Sequence, residues 1–205
     1  SEEQLLGLPD EVKSIVAHAM PRSTVAETLR LIRTTLHFSL GPDSPKRRLL
    51  VTSAVPQEGK SFVSANLAAI MAMSGQRVLV VDGDMRRPTL HRLFGLPNTV
   101  GFGQLLAGNA VVSDVVFPTM VPGLDIMTTG DGVDRPAELL DTGRIEEIIA
   151  GLPQYDVILF DTPPVNVVGD AMILASLVDG VLFVIEANRT TRSMAATGCE
   201  RLASV

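Results

Sequence analysis

The stretch Leu49-Leu50-Val51-Thr52-Ser53-Ala54-Val55-Pro56-Gln57-Glu58-Gly59-Lys60-Ser61-Phe62 passes from an apolar run, through a loop, into a helical pattern that lasts to Met73. That is the strand–loop–helix setting a phosphate-binding loop requires. Gly59 lets the backbone approach a phosphate with no Cβ in the way. Amides at the start of the following helix point at phosphate oxygens, and the helix dipole favours negative charge there. Lys60 has the reach to meet β- and γ-phosphates, and the Ser61 hydroxyl is a Mg²⁺ ligand by type. Ala54 stands where the general pattern has its first glycine, so the frame carries the reading more than the short motif does. A chance Gly-Lys-Ser would lack the strand before it and the helix after it. The frame implies a nucleoside triphosphate with Mg²⁺.

Composition bounds the rest. A chain of 205 residues, 46% of them hydrophobic, can bury a substantial core as one domain. A net charge of −6 argues against a chain-wide nucleic-acid surface, and no nucleic-acid partner is expected. Cys199 is the single cysteine, so no internal disulfide can form, which fits a reducing compartment. His18, His37 and His91 have no metal-ligand spacing. No apolar run approaches the roughly 20 residues that span a bilayer, and no signal-peptide pattern opens the chain.

The organisation alternates. Residues 1–21 read as a lead-in and 22–205 as one domain. Thr24 and Glu27 have capping-box spacing and open a helix with an apolar stripe of Val25, Leu29, Ile32 and Leu36. Gly41-Pro42-Asp43-Ser44-Pro45 breaks it. Strands are expected at about 48–53, 77–82, 124–129, 157–160 and 180–186, with helices at 62–73, 136–152 and from Thr191 on. Apolar strands alternating with helices predict an α/β fold, a mostly parallel sheet with helices on both faces. Ligands of such sheets bind at the carboxyl ends of the strands.

Three strand ends carry candidate chemistry. One delivers the loop, the second Val81-Asp82-Gly83-Asp84-Met85-Arg86-Arg87-Pro88, and the third Leu159-Phe160-Asp161-Thr162-Pro163-Pro164. Mg²⁺ keeps several waters, so one or two carboxylates suffice to hold it, and Asp161 fits that role. With a strand ending at Asp82, both Asp82 and Asp84 can face the nucleotide through the turn at Gly83. One would orient a Mg²⁺-bound water and the other accept a hydroxyl proton. An isolated strand-end aspartate is more often a helix cap; three converging with a phosphate loop shift the balance toward function.

These residues together resemble the catalytic domain of the bacterial protein-tyrosine kinases, autokinases that control capsule and exopolysaccharide synthesis and export. The likeness runs from about Arg22 to the end. It rests on Glu27-x-x-Arg30-x-x-Arg33, the loop from Thr52 to Ser61, Asp82-x-Asp84-x-Arg86-Arg87-Pro88, Pro136-Ala137-Glu138-Leu139-Leu140, and Tyr155-Asp156 leading to Asp161-Thr162-Pro163-Pro164. The resemblance implies a P-loop NTPase-type fold and makes the nucleotide ATP. It makes Lys60, Asp82, Asp84 and Asp161 catalytic, and Ser61, Asp82 and Asp161 the metal-holding residues. Pro56, Gln57, Glu58, Gly59, Lys60, Ser61, Phe62 and Arg86 become the nucleotide-binding set.

Glu27, Arg30 and Arg33 point away from the apolar stripe. On a solvated face they would be ordinary i,i+3 pairs worth a few tenths of a kcal/mol. The resemblance instead makes them an interface of a homo-oligomeric ring, an octamer in that family. It also implies a membrane-embedded polysaccharide co-polymerase as partner. The expected location is then cytoplasmic, at the inner face of the bacterial inner membrane. Lys46-Arg47-Arg48 reads as a solvated strand start. Tyr155 opens a buried strand and is not expected to be phosphorylated. The family's further C-terminal strand and tyrosine-rich tail have no counterpart before Val205. Gln57 replaces a common glycine, with little effect expected because Gly59 keeps the close approach. The rival is a partitioning or cell-division ATPase of the deviant-Walker class; its extra loop lysine is missing here, where Val55 stands. A non-catalytic ATP-sensing regulator is the third reading.

Overall fold

The computed structural model describes residues 15–41 and 47–205. Most of the lead-in, the Pro42–Pro45 breaker and Lys46 lie outside the described residues. Among the described residues six strands form one sheet: β1 (Arg47–Ser53), β2 (Val78–Asp82), β3 (Val116–Pro118), β4 (Leu124–Met127), β5 (Val157–Asp161) and β6 (Gly180–Val184), in the order β3-β4-β2-β5-β1-β6. All pairings are parallel except β3–β4, a short antiparallel addition at the edge. Sequence periodicity gave no sign of β3, whose three residues are too few to show one.

The parallel strands are apolar throughout because both faces are covered. Successive side chains alternate between two cores. Leu49, Val51, Val78, Val80, Leu124, Ile126, Val157 and Leu159 face one. Leu50, Leu79, Val81, Met127, Ile158 and Phe160 face the other, against Phe102, Ile145, Ile148 and Leu174. The first core is capped by α3 (Lys60–Met73), whose residues from Ser64 to Ala72 are all buried. A helix apolar on every side needs cover on every side. The outer cover is α1 (Val16–Ala19) with α2 (Thr24–Ser39). Ile15 and Ala17 are fully buried, and the Ala17 amide donates to Asn66 Oδ1 of α3 at 2.9 Å. The packed body thus takes in the end of the segment read as a lead-in.

Several expectations shift. Ser23, not Thr24, caps α2: its hydroxyl accepts from the Ala26 amide at 3.2 Å. The buried stripe correspondingly uses Ala26 and Leu29, while Val25 is 40% exposed. The expected helix at 136–152 is two, α7 (Pro136–Leu139) and α8 (Thr142–Gly151). Asp141 divides them, its carboxylate accepting from the Arg144 amide as the cap of α8. An aspartate is a better cap than a helix interior residue, and that local preference overrode the apolar period. The other helices among the described residues are α4 (Leu90–Leu93), α5 (Phe102–Leu106), α6 (Val112–Val115), α9 (Asp170–Ala175) and α10 (Arg192–Leu202). No helix among the described residues is long and apolar enough to cross a membrane.

Candidate active site

Gly59 sits at φ 84° as the residue before α3, so the loop turns into the helix through a left-handed conformation that glycine adopts without strain. Gln57 also has a positive φ, 67°. A glycine would take this conformation without strain, so the substitution carries a backbone cost that the sequence did not reveal. A non-glycine side chain in that region costs about 1–2 kcal/mol, which the surroundings must offset.

They do so through Glu58. Its Oε2 accepts from the Val55 amide at 2.7 Å. Its Oε1 accepts from Thr190 Oγ1 and from the Glu186 amide, in the loop after β6. Arg189 in the same loop donates to the Gln57 carbonyl at 3.0 Å. Burial would raise Glu58, but the Thr190 hydroxyl and the Val55, Glu186 and Ala54 amides prevail and hold it below the usual carboxylate range. Glu58, read from the sequence as nucleotide-binding, spends its carboxylate on holding the loop's shape.

Lys60 Nζ lies 2.9 Å from Asp84 Oδ2. Burial alone would lower the lysine; Asp161 and Asp84, with Asp82 behind them, raise it above its ordinary value. Asp84 also accepts from the Arg87 amide, at 3.0 Å. Asp82 is placed differently from the expectation. It does not face the cleft: it is fully buried, its Oδ2 accepting from the Thr89 and Leu90 amides at 3.1 and 3.0 Å and its Oδ1 from the Asp84 amide at 3.3 Å. It ties the β2–α4 turn together. Gly83 fits between the aspartates because a Cβ there would meet the Asp161 carbonyl at 3.0 Å and Leu174 Cδ1 at 3.2 Å.

Asp82 and Asp161 are register partners on β2 and β5, and Asp161 is also paired with Val51 of β1. β5 therefore centres Asp161 between the phosphate-loop strand and the two-aspartate strand. Asp161 Oδ1 accepts from Ser64 Oγ at 3.0 Å; its buried Oδ2 has no hydrogen-bond partner among the described residues. Burial and mutual repulsion push Asp82 up. Burial pushes Asp161 up as well, and only in part do Lys60 and the Ser61 and Ser64 hydroxyls oppose it.

The resulting cleft, about 710 Å³, is lined by Pro56, Gln57, Gly59, Lys60, Ser61, Phe62, Asp84 and Arg86 of the expected set. Arg86 is forked onto Asp170 of α9, Nε to Oδ2 at 3.0 Å and Nη2 to Oδ1 at 3.3 Å. Sequence reasoning missed Asp170, 84 residues away, and Thr190, which no local pattern connects to the loop. It also left out of the site Thr89, Arg92, Leu93, Val167 and Val168, which share the wall with Arg87, Pro163 and Pro164. Ser64 carried a signal: it lies one turn beyond Ser61 on the same helix face. Glu27 and Arg30 do pair, and Arg30 also donates to the Pro21 carbonyl, while Arg33 lines a separate groove with His37 and Arg47. Tyr155 is buried, its hydroxyl donating to Asp125 Oδ2 at 2.8 Å and pushed up by burial and that contact, which makes it a poor phosphate acceptor.

A parallel sheet with a phosphate loop on β1 and carboxylates at the ends of β2 and β5 defines a P-loop nucleotide-binding protein. A family model described as an AAA domain matches residues 57–204. The tyrosine-protein kinase YwqD of Bacillus subtilis is 37% identical over 193 residues, covering 94% of this chain and 81% of its own length. The kinase domain of the Escherichia coli tyrosine kinase ETK superposes with a TM-score of 0.88 at 32% identity, over 97% of this chain and 76% of that one. The chain belongs to the bacterial tyrosine-protein kinase family. The septum site-determining protein MinD of Pyrococcus horikoshii, solved with Mg-ADP, is similar over 68% of the chain with a TM-score of 0.59 at 27% identity. The rival class thus shares the fold.

Proposed function

We propose that this kinase domain transfers the γ-phosphate of ATP to tyrosine, as an autokinase governing exopolysaccharide or capsule synthesis and export. The observation that carries the reading is the Lys60–Asp84 pair, 2.9 Å apart on the wall of the cleft. Simple hydrolysis would need the loop and Asp161; a second carboxylate held beside the loop lysine suits a protein hydroxyl that must lose a proton. Lys60 lies beside Asp84; with its ammonium engaged by phosphate oxygens, the Asp84 carboxylate would be available to accept the tyrosyl proton.

The residues fit Mg²⁺. Asp161 offers a buried carboxylate oxygen without a partner among the described residues, and Ser61 offers a hydroxyl on the same sheet edge. Bound Mg²⁺ would supply charge neutralisation at the phosphates. Asp82 supports the site from behind, by shaping the turn that presents Asp84. A domain that runs from Ile15 rather than Arg22, since Ile15 and Ala17 are buried in its core, a homo-oligomeric ring contacting through Glu27, Arg30 and Arg33, a polysaccharide co-polymerase partner and a place at the inner face of the membrane complete the proposal; the last three rest on the family membership.

Asp84→Asn should abolish transfer, by at least about a hundredfold, while leaving ADP affinity within about threefold. Asp161→Asn should instead remove the Mg²⁺ dependence of binding. Transfer by Asp84→Asn at the wild-type rate means that Asp84 is not the base.

A further inference from the structure

The charge of the cleft is unbalanced, and the imbalance lies away from the phosphate loop. Among its described lining residues are four basic ones, Lys60, Arg86, Arg87 and Arg92, against one acidic one, Asp84. Lys60 is paired with Asp84 and Arg86 with Asp170. Arg87 and Arg92 have no carboxylate partner among the described residues. The Arg92 guanidinium donates to the Pro88 carbonyl at 3.1 Å, and that of Arg87 makes no hydrogen bond or ion pair there. Both are exposed, in a chain whose net charge is −6. They form a local inversion of the overall charge.

Their position is fixed relative to the chemistry. The Arg87 amide bonds Asp84 Oδ1, so this arginine sits within one turn of the proposed base. Arg92 follows on α4, next to Leu93. Leu93, Val167, Val168, Pro163 and Pro164 make an apolar wall in the same cleft, with Val167 largely exposed. An aromatic ring with a hydroxyl at one end, flanked by anionic side chains, matches a wall that is apolar, with Asp84 at one point and arginines at its rim.

We propose that Arg87 and Arg92 are specificity-determining residues for the phosphate acceptor: they select tyrosines flanked by aspartate or glutamate. The proposal rests on the tyrosine-transfer reading and adds the substrate class. Acidic flanks are drawn to the two arginines, while the tyrosyl ring lies on the Leu93–Val167–Val168 wall with its hydroxyl toward Asp84. Basic flanks are repelled.

The test uses synthetic tyrosine peptides with glutamate, glutamine or lysine flanks, at saturating Mg-ATP. The wild type should show KM rising in that order, by roughly tenfold from first to last, as two exposed charge pairs allow. Arg87→Glu with Arg92→Glu should reverse the order and leave KM for ATP within about twofold. Both side chains are exposed, so folding should survive; Arg87→Gln with Arg92→Gln, which should level the three peptides, checks this with milder changes. Fluorescence anisotropy of the same peptides reads the preference without turnover. A wild type that transfers or binds with no flank preference overturns the proposal while leaving tyrosine transfer intact. So does a charge-reversed variant that keeps the wild-type order, or one whose KM for ATP rises tenfold with the order unchanged; the arginines would then serve the nucleotide. Failure to label any peptide, with anisotropy also flat, removes both this proposal and the reading beneath it.

Discussion

Removing the Glu58 side chain should destabilise the domain measurably, although no apolar core is lost with it. Both of its carboxylate oxygens are used, and they bridge two loops: Val55 on one side, Thr190 and Glu186 on the other. In Glu58→Ala the Glu186 amide keeps a partner, because it also donates to Thr190 Oγ1 at 3.1 Å. The real losses are the Val55 bond and the Thr190 bond, each to a charged acceptor. With Val55 half-buried, water recovers part of the deficit, and the sum comes to about 2–3 kcal/mol. For a domain of this length that lowers Tm by about 4–12 °C. Glu58→Gln keeps one acceptor and should cost about 1 kcal/mol. The pH dependence has a definite sign. Glu58 is held below its ordinary value in the fold, so its contribution is present above the unfolded-state pKa and is lost as pH falls through the folded one. The gap between wild type and Glu58→Gln should therefore close in acid. Urea denaturation with matched m-values is the assay. A Glu58→Ala protein within about 0.5 kcal/mol of wild type at neutral pH would refute the clamp.

Lys60→Met should reduce ATP or ADP affinity at least about tenfold by calorimetry, since it removes the charge that meets the phosphates; unchanged affinity removes the phosphate-loop assignment. Asp82 and Asp161 are raised in the fold, so the native state holds protons that the unfolded chain has lost, and nucleotide-free stability should fall as pH rises from the usual carboxylate range toward neutrality. Asp161→Asn should flatten that slope and stabilise the nucleotide-free domain by on the order of 1 kcal/mol above neutral pH; an unchanged slope means the pair is not what titrates. Changing Glu27, Arg30 and Arg33 together to Ala should lower the mass read by light scattering with the fold intact, because none of the three is in the buried set of α2. Equal masses for this variant and an oligomeric wild type would exclude the interface.

Much of the sheet could be read from the chain because its central strands are continuous apolar runs ended by aspartates. Periodicity placed β1, β2, β4, β5 and β6 to within two residues. It failed where one residue's local preference outweighed the pattern, as at Asp141, or where an element was too short to have a pattern, as with β3. The site divides along the same line. Lys60, Ser61, Asp84 and Asp161 were legible because local motifs put each at a strand end or helix start. What their partners do was not. That Asp82 turns inward to bind the Thr89 and Leu90 amides, that Arg86 is forked onto Asp170, and that Glu58 reaches Thr190 depend on contacts between residues from 7 to 132 positions apart. No motif encodes such distances. Gln57 shows the converse: the sequence revealed the missing glycine, and only the backbone, at φ 67°, shows what the glycine would have been for.

Phosphate transfer itself is the most direct test. The domain is incubated with γ-labelled ATP, Mg²⁺ and a tyrosine-containing acceptor peptide, and the label is traced by phosphoamino-acid analysis. Label should appear on tyrosine, be lost on chelation of Mg²⁺ and be lost in Asp84→Asn while nucleotide still binds. Label released wholly as free phosphate, with none on tyrosine at any acceptor concentration, would contradict tyrosine transfer and make this domain a nucleotide hydrolase on a kinase fold.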